Sequence, residues 1–182
     1  MKKIVLDNGH GKETAGKRSP KWADGSQLFE YEFNRDIVRR ISENLKQKGL
    51  TFHILVPELT DISLVERCKR ANAFGKDAIL ISVHANAGGG TGWECFTSVG
   101  KTPADQYAQI LLDQFKQDFP EWKMRGHKES DFYILKNTSC PAVLSENFFM
   151  DTEKDCRLIL SEEGRQRIAD SHVQAILKMI EL

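Results

Sequence analysis

Short β-branched and apolar runs alternate along this chain with longer stretches in which apolar residues recur every three or four positions, and that alternation leaves few ways to fold. The runs lie at Lys3 to Asp7, Thr51 to Val56, Ala78 to Val83, Trp93 to Ser98, Phe132 to Leu135 and Ala142 to Ser145. Ile37, Ile41 and Leu45 mark a helix that starts near Glu30 and meets a C-capping glycine at Gly49. Ser63 and Glu66 form a capping box, in which each side chain satisfies an unpaired N–H at a helix start, and Gly75 closes that helix. Tyr107, Ile110, Leu111 and Phe115 predict a helix over 104–119 that Pro120 interrupts. Ile168, Val173, Ile176 and Leu177 predict a last helix over 162–180. Strand and helix taking turns in this way predict an α/β fold, a twisted sheet, mostly parallel or mixed, flanked by helices on both faces. The segment from Gly11 to Gln27 is Gly-rich and basic without periodicity, and a loop of that length in a compact domain usually carries function or moves.

With 182 residues the chain is expected to form a single domain over 1–182, large enough to bury a core that needs no disulfide or metal staple. There is no internal repeat, low-complexity tract or linker. The formal net charge is zero and no basic block occurs, which excludes the electrostatic footprint of nucleic-acid binding. Cys68, Cys95, Cys140 and Cys156 are far apart and form no CxxC, so they read as reduced, mostly buried thiols. The N-terminus enters a strand without the apolar run of a secretory leader, and no stretch is long and apolar enough to span a bilayer. The expectation is synthesis in the cytoplasm and no membrane insertion.

In open α/β sheets the loops at the carboxyl ends of the strands converge on one crevice where ligands bind. Here Ile4-Val5-Leu6 leads into Asp7-Asn8-Gly9-His10-Gly11, Ala78 to Val83 into His84, and Pro141 to Ser145 into Glu146. With Glu30 at the first helix start, two imidazoles and two carboxylates meet at one rim. Hydrolytic zinc takes three protein ligands of the His/Glu type and keeps a position for water, so two histidines, one ligand glutamate and one free glutamate fit the count.

Glu30 extends the stripe of Asn34, Ile37, Ile41 and Leu45 that packs on the sheet, whereas Glu32 lies about 200 degrees round the helix, facing water. An inward carboxylate is costly unless paired or metal-bound. A glutamate that only complements the helix dipole explains the spacing equally well. His10 and His84 stand apart from the other histidines because small residues flank them at strand ends. His53 reads as a core or edge residue of the second strand, His127 as a loop histidine and His172 as solvated. Glu146 follows an apolar run of central-strand type and would project into the crevice, where a free glutamate beside zinc serves as a general base. Gly88 to Gly90 match neither nucleotide-binding glycine spacing, and no HExxH is present.

These residues resemble the zinc-dependent N-acetylmuramoyl-L-alanine amidases of type 3, which open bacterial cell walls. Ile4 to Gly11 is similar to the family's opening strand and zinc histidine, and Glu30 with Asn34 to its Glu-x-x-x-Asn helix start. Leu64, Arg67, Ala71 and Asn72 match a Leu-x-x-Arg-x-x-x-Ala-Asn helix, Ile81 to Ala87 the second zinc histidine segment, and Gly92 with Glu94 a Gly-x-Glu strand. Phe132 to Leu135 and Pro141 to Glu146 resemble the closing strands and catalytic glutamate. Asn8 and Lys12 depart from the family's usual proline and glycine, and Ser145, Asn147 and Phe148 from its usual neighbours of the glutamate.

The resemblance implies zinc held by His10, Glu30 and His84, catalysis by Glu146, and peptidoglycan as substrate, cleaved between N-acetylmuramic acid and L-alanine. The chain offers no appended wall-binding module, so a single catalytic domain is expected, a monomer that acts on the wall after release, in the manner of an endolysin, or after export by another route. Asp7 is expected to orient His10. Two alternatives stand beside it: a zinc carboxypeptidase or aminopeptidase acting on stem peptides, and a catalytically silent wall-binding module.

Overall fold

The computed structural model describes residues 2–182 and holds one six-stranded sheet in the order β2-β1-β3-β6-β4-β5. The strands are β1 (Lys3–Asn8), β2 (Phe52–Ile54), β3 (Ala78–Asn86), β4 (Trp93–Thr97), β5 (Met124–Glu129) and β6 (Ala142–Phe149). Neighbours β2, β1, β3 and β6 are parallel, β4 runs antiparallel to β6, and β5 is parallel to β4. The sheet is thus mixed and mostly parallel, as the alternation of elements implies.

Helices α1 (Glu30–Gln47), α3 (Ala104–Asp118), α5 (Glu153–Leu160) and α6 (Glu162–Ile180) line one face, and α2 (Leu64–Asn72) with the short α4 (Tyr133–Lys136) the other. Alternation along each strand divides the core accordingly. Ile79, Ile81, Val83 and Val143 pack under α1, α3 and α6. Val5, Leu80, Ala142 and Leu144 pack against Cys68 and Ala71 of α2 and Ile134 and Leu135 of α4. The second core ends at the partly buried Phe96, so this face of β5 has no helix above it. All four cysteines are free and buried.

Ser63 caps α2 by accepting from the Glu66 N–H at 3.3 Å, and the helices over 30–47 and 162–180 begin where the periodicity places them. Several elements differ. Phe132 to Leu135, expected as a strand, turns helically, with the Leu135 and Lys136 N–H groups both donating to the Phe132 carbonyl at 3.0 Å. A strand would send Ile134 and Leu135 to opposite faces, whereas a helical turn buries both against one core. Strand β5 and helix α5 carry too weak a period to be read: β5 is a polar, half-buried edge, and α5 is two turns long. His172, expected in solvent, is fully buried because it sits between Ile168 and Ile176 on the inward stripe of α6, edge-on to Phe115 at 5.0 Å.

Candidate metal centre

His10 follows β1 in a left-handed backbone conformation (φ 63°) that β-carbon sterics make unfavourable outside glycine. Neighbouring contacts hold it there. Arg35 of α1 donates to the His10 carbonyl at 2.9 Å and Arg67 of α2 donates to the same oxygen at 3.3 Å, while Asn34 donates to the Gly9 carbonyl at 3.1 Å. Gly9 must be a glycine, because a β-carbon there would fall 2.0 Å from the His84 ring.

The loop brings His10 to Glu30, the first residue of α1, and to His84. Glu30 Oε1 lies 3.3 Å from His10 Nε2 and 3.0 Å from His84 Nδ1, and the two rings meet edge-on at 4.9 Å. One ligand atom from each of the three lies within 4.8 Å of the others. Glu30 is 1% exposed, and its Oε2 has no hydrogen-bond partner among the described residues; Lys17 Nζ stands 3.8 Å away. Glu32, by contrast, is exposed. A buried carboxylate with a free oxygen, facing two half-buried imidazoles, is a mixed N/O donor set that suits a borderline divalent ion such as zinc. Burial would raise the Glu30 carboxyl, but His10 and His84 outweigh it and hold the group well below the usual range. Burial likewise pushes the His84 ring down, and Glu30 reverses the sign to a net rise.

His84 and Glu146 do not end their strands but lie within them. They are register partners across β3 and β6, so both project from the face that α2 partly covers. Glu146 pairs on its other side with Glu94 of β4. Burial, reinforced by the charges of Glu30 and Glu94 and opposed by His84, pushes the Glu146 carboxyl up to about 7; its Oε2 has no hydrogen-bond partner among the described residues. Glu94 accepts from Asn86 at 2.6 Å, from Arg125 at 2.9 Å and from Lys128. A cleft of about 390 Å³ opens beside His10 and His84 between Asp61, Leu64, Arg67 and Ile134. The larger cavity of about 580 Å³ lies at the opposite end of the sheet, near Lys2 and Ala78, and holds no such donor set.

The other histidines stay away. His53 packs on Phe74 at 4.5 Å, His127 belongs to β5 rather than a loop and meets Thr97 Oγ1 at 2.7 Å on the far face, and His172 is in the core. Asp7 does not orient His10. It accepts from Arg67 Nη1 and from Ser82 Oγ, each at 2.6 Å, and this buried pair ties α2 to β1. Arg67 and Glu94 stand in the family motifs quoted above, but their contacts, like those of Arg35, cross elements distant in the chain and leave no periodic signal.

Residues 4–178 match the family model described as N-acetylmuramoyl-L-alanine amidase. The chain is 30% identical to the N-acetylmuramoyl-L-alanine amidase CwlM of Bacillus licheniformis, over all of this chain and 70% of that protein. It is 33% identical to the endolysin of Bacillus phage SPP1, over all of this chain and 68% of that protein. Its fold is similar to the crystal structure of an N-acetylmuramoyl-L-alanine amidase from Clostridium difficile 630, with a TM-score of 0.89 at 27% identity, covering 99% of this chain and 97% of the other.

Proposed function

The chain belongs to the N-acetylmuramoyl-L-alanine amidase family, and from that premise we propose that His10, Glu30 and His84 hold a catalytic zinc ion and that Glu146 is the catalytic carboxylate. The reaction is hydrolysis of the amide between N-acetylmuramic acid and L-alanine in peptidoglycan. The observation that carries the assignment is the buried Glu30 carboxylate, one oxygen shared between two imidazoles and the other without a hydrogen bond. When bound, zinc supplies a Lewis acid for the scissile carbonyl and acidifies water.

Glu146 sits one strand over from His84, near enough to receive the proton of the attacking water and hand it to the departing alanine amine. A carboxyl poised near neutrality is suited to both halves of that transfer. Arg35 and Arg67 fix the His10 backbone, and Gly9 lets the His84 ring lie against the chain. Neither a stem-peptide peptidase nor a silent module has an observation in its favour. The unit that acts is taken as one catalytic domain, 1–182, working as a monomer on the wall after release or export; among the described residues no helix is long and apolar enough to cross a membrane.

The test is mass spectrometry of soluble products from purified peptidoglycan, with and without a zinc chelator. Chelator-sensitive release of stem peptides with a new N-terminal alanine is the expected result. Shortened stems still attached to muramic acid would make the protein a peptidase instead.

A further inference from the structure

His84, Glu146, Glu94 and Gly126 are successive register partners across β3, β6, β4 and β5, so they form a row across one face of the sheet. At a strand spacing of about 4.8 Å, Glu94 lies about 10 Å from His84 along that row. Among the described residues the core on this face ends at the partly buried Phe96, and the row runs from the candidate metal centre to the half-buried strand β5 at the edge of the sheet.

At this edge, one buried carboxylate serves two cations. Glu94 is 5% exposed, and its Oε2 accepts from both Arg125 Nε and Lys128 Nζ, while Oε1 is taken by Asn86. The group therefore carries one surplus positive charge. Arg125 and Lys128 remain 27% and 39% exposed. Arg125 uses only Nε among the described residues' hydrogen bonds, which leaves both terminal nitrogens of its guanidinium for a carboxylate. Its orientation is fixed by Glu94 on one side and by the Phe149 ring, 5.0 Å from Cζ, on the other. On the opposite side of the centre, the cleft's arginine, Arg67, is consumed by Asp7, Asp61 and three backbone carbonyls.

We propose that Arg125, with Lys128, both held by Glu94, forms a carboxylate-binding subsite that recognises a free carboxylate of the substrate peptide, borne by the residue after the alanine. The inference rests on the amidase reading. An extended peptide advances about 3.3–3.6 Å per residue, so a carboxylate on the second residue reaches the subsite while the scissile amide stays beside Glu146. The arrangement makes these two residues determinants of specificity between peptides with a free and an amidated carboxyl.

The experiment compares two soluble probes, N-acetylmuramoyl-L-alanyl-D-glutamate and its diamide, with the zinc-loaded full chain. The native protein should cleave the acid with a kcat/KM on the order of tenfold higher than the diamide, the scale of one charged hydrogen-bonded contact. In Arg125→Gln/Lys128→Gln the preference for the acid should disappear, and Arg125→Glu should favour the diamide. Calorimetry on Glu146→Gln supplies a readout that needs no turnover: the acid should bind tighter than the diamide, and adding Arg125→Gln should abolish the difference. A native protein that cleaves both probes equally, or a preference that survives the double substitution, overturns the subsite alone. A native protein that cleaves neither probe overturns the amidase reading and this inference with it.

Discussion

At the scale of single residues, the two glutamates of the candidate site stand in different surroundings. Glu30, at the start of α1, is held ionised by the two histidines it touches, whereas Glu146, one strand over from His84 and lacking a partner for Oε2 among the described residues, is pushed towards neutrality by burial. Substituting each therefore has a different consequence. Glu146→Gln should keep stoichiometric zinc by elemental analysis while turnover falls on the order of 10² to 10⁴-fold, the range for loss of a general base. His84→Ala should lose the metal, and activity with it. Loss of zinc in the Glu146 variant would contradict the division of roles.

Individual elements are pinned by polar contacts that hydrophobic periodicity does not reveal. Helix α2 is tied to β1 by the buried Arg67–Asp7 pair, and the same arginine reaches the carbonyls of Asn8 and His10. Removing one member of such a pair leaves an uncompensated charge, so Arg67→Ala should cost about 3–5 kcal/mol in urea unfolding and loosen zinc binding as well. Helix α6 carries a titratable group in its core. Burial lowers the His172 pKa from 6.5 to about 4, outweighing the Ile168 carbonyl that accepts from Nδ1. With a folded pKa below the unfolded one, its neutral form favours the native state above pH 6.5, and that contribution drains away as pH falls towards 4. The difference in stability between the native protein and His172→Gln should shrink over this window by about 3 kcal/mol, measured by unfolding titrations at matched pH. Taking the difference cancels carboxylates that titrate in the same range.

Across the whole molecule, the candidate metal centre joins three parts of the chain: the loop after β1, the start of α1 and strand β3. A ligand that binds only the folded state stabilises it by mass action, roughly 2.7 kcal/mol at a hundred times its dissociation constant. Chelation should therefore lower the thermal midpoint, and added zinc should restore it. His84→Ala should show no response to either treatment. A native midpoint indifferent to chelator would mean that the donor set holds no ion under those conditions.

Local patterns determined a large part of this protein. The period of Ile37, Ile41 and Leu45 turned Glu30 inward and Glu32 outward, and the capping box placed α2. Small residues flanking His10 and His84 set these two histidines apart, and the apolar strands announced an α/β sheet. These features depend on residues a few positions apart, and short-range backbone sterics suffice to read them. Tertiary packing decided the rest. Only strand register could show His84, Glu146 and Glu94 in one row, and only the opposing core could turn Phe132 to Leu135 into a helix and draw His172 inside. Asp7 found Arg67, 60 positions away, instead of His10, three residues on. Charge pairing in a folded interior follows proximity in space, and a partner distant in the chain leaves no periodic trace in the sequence.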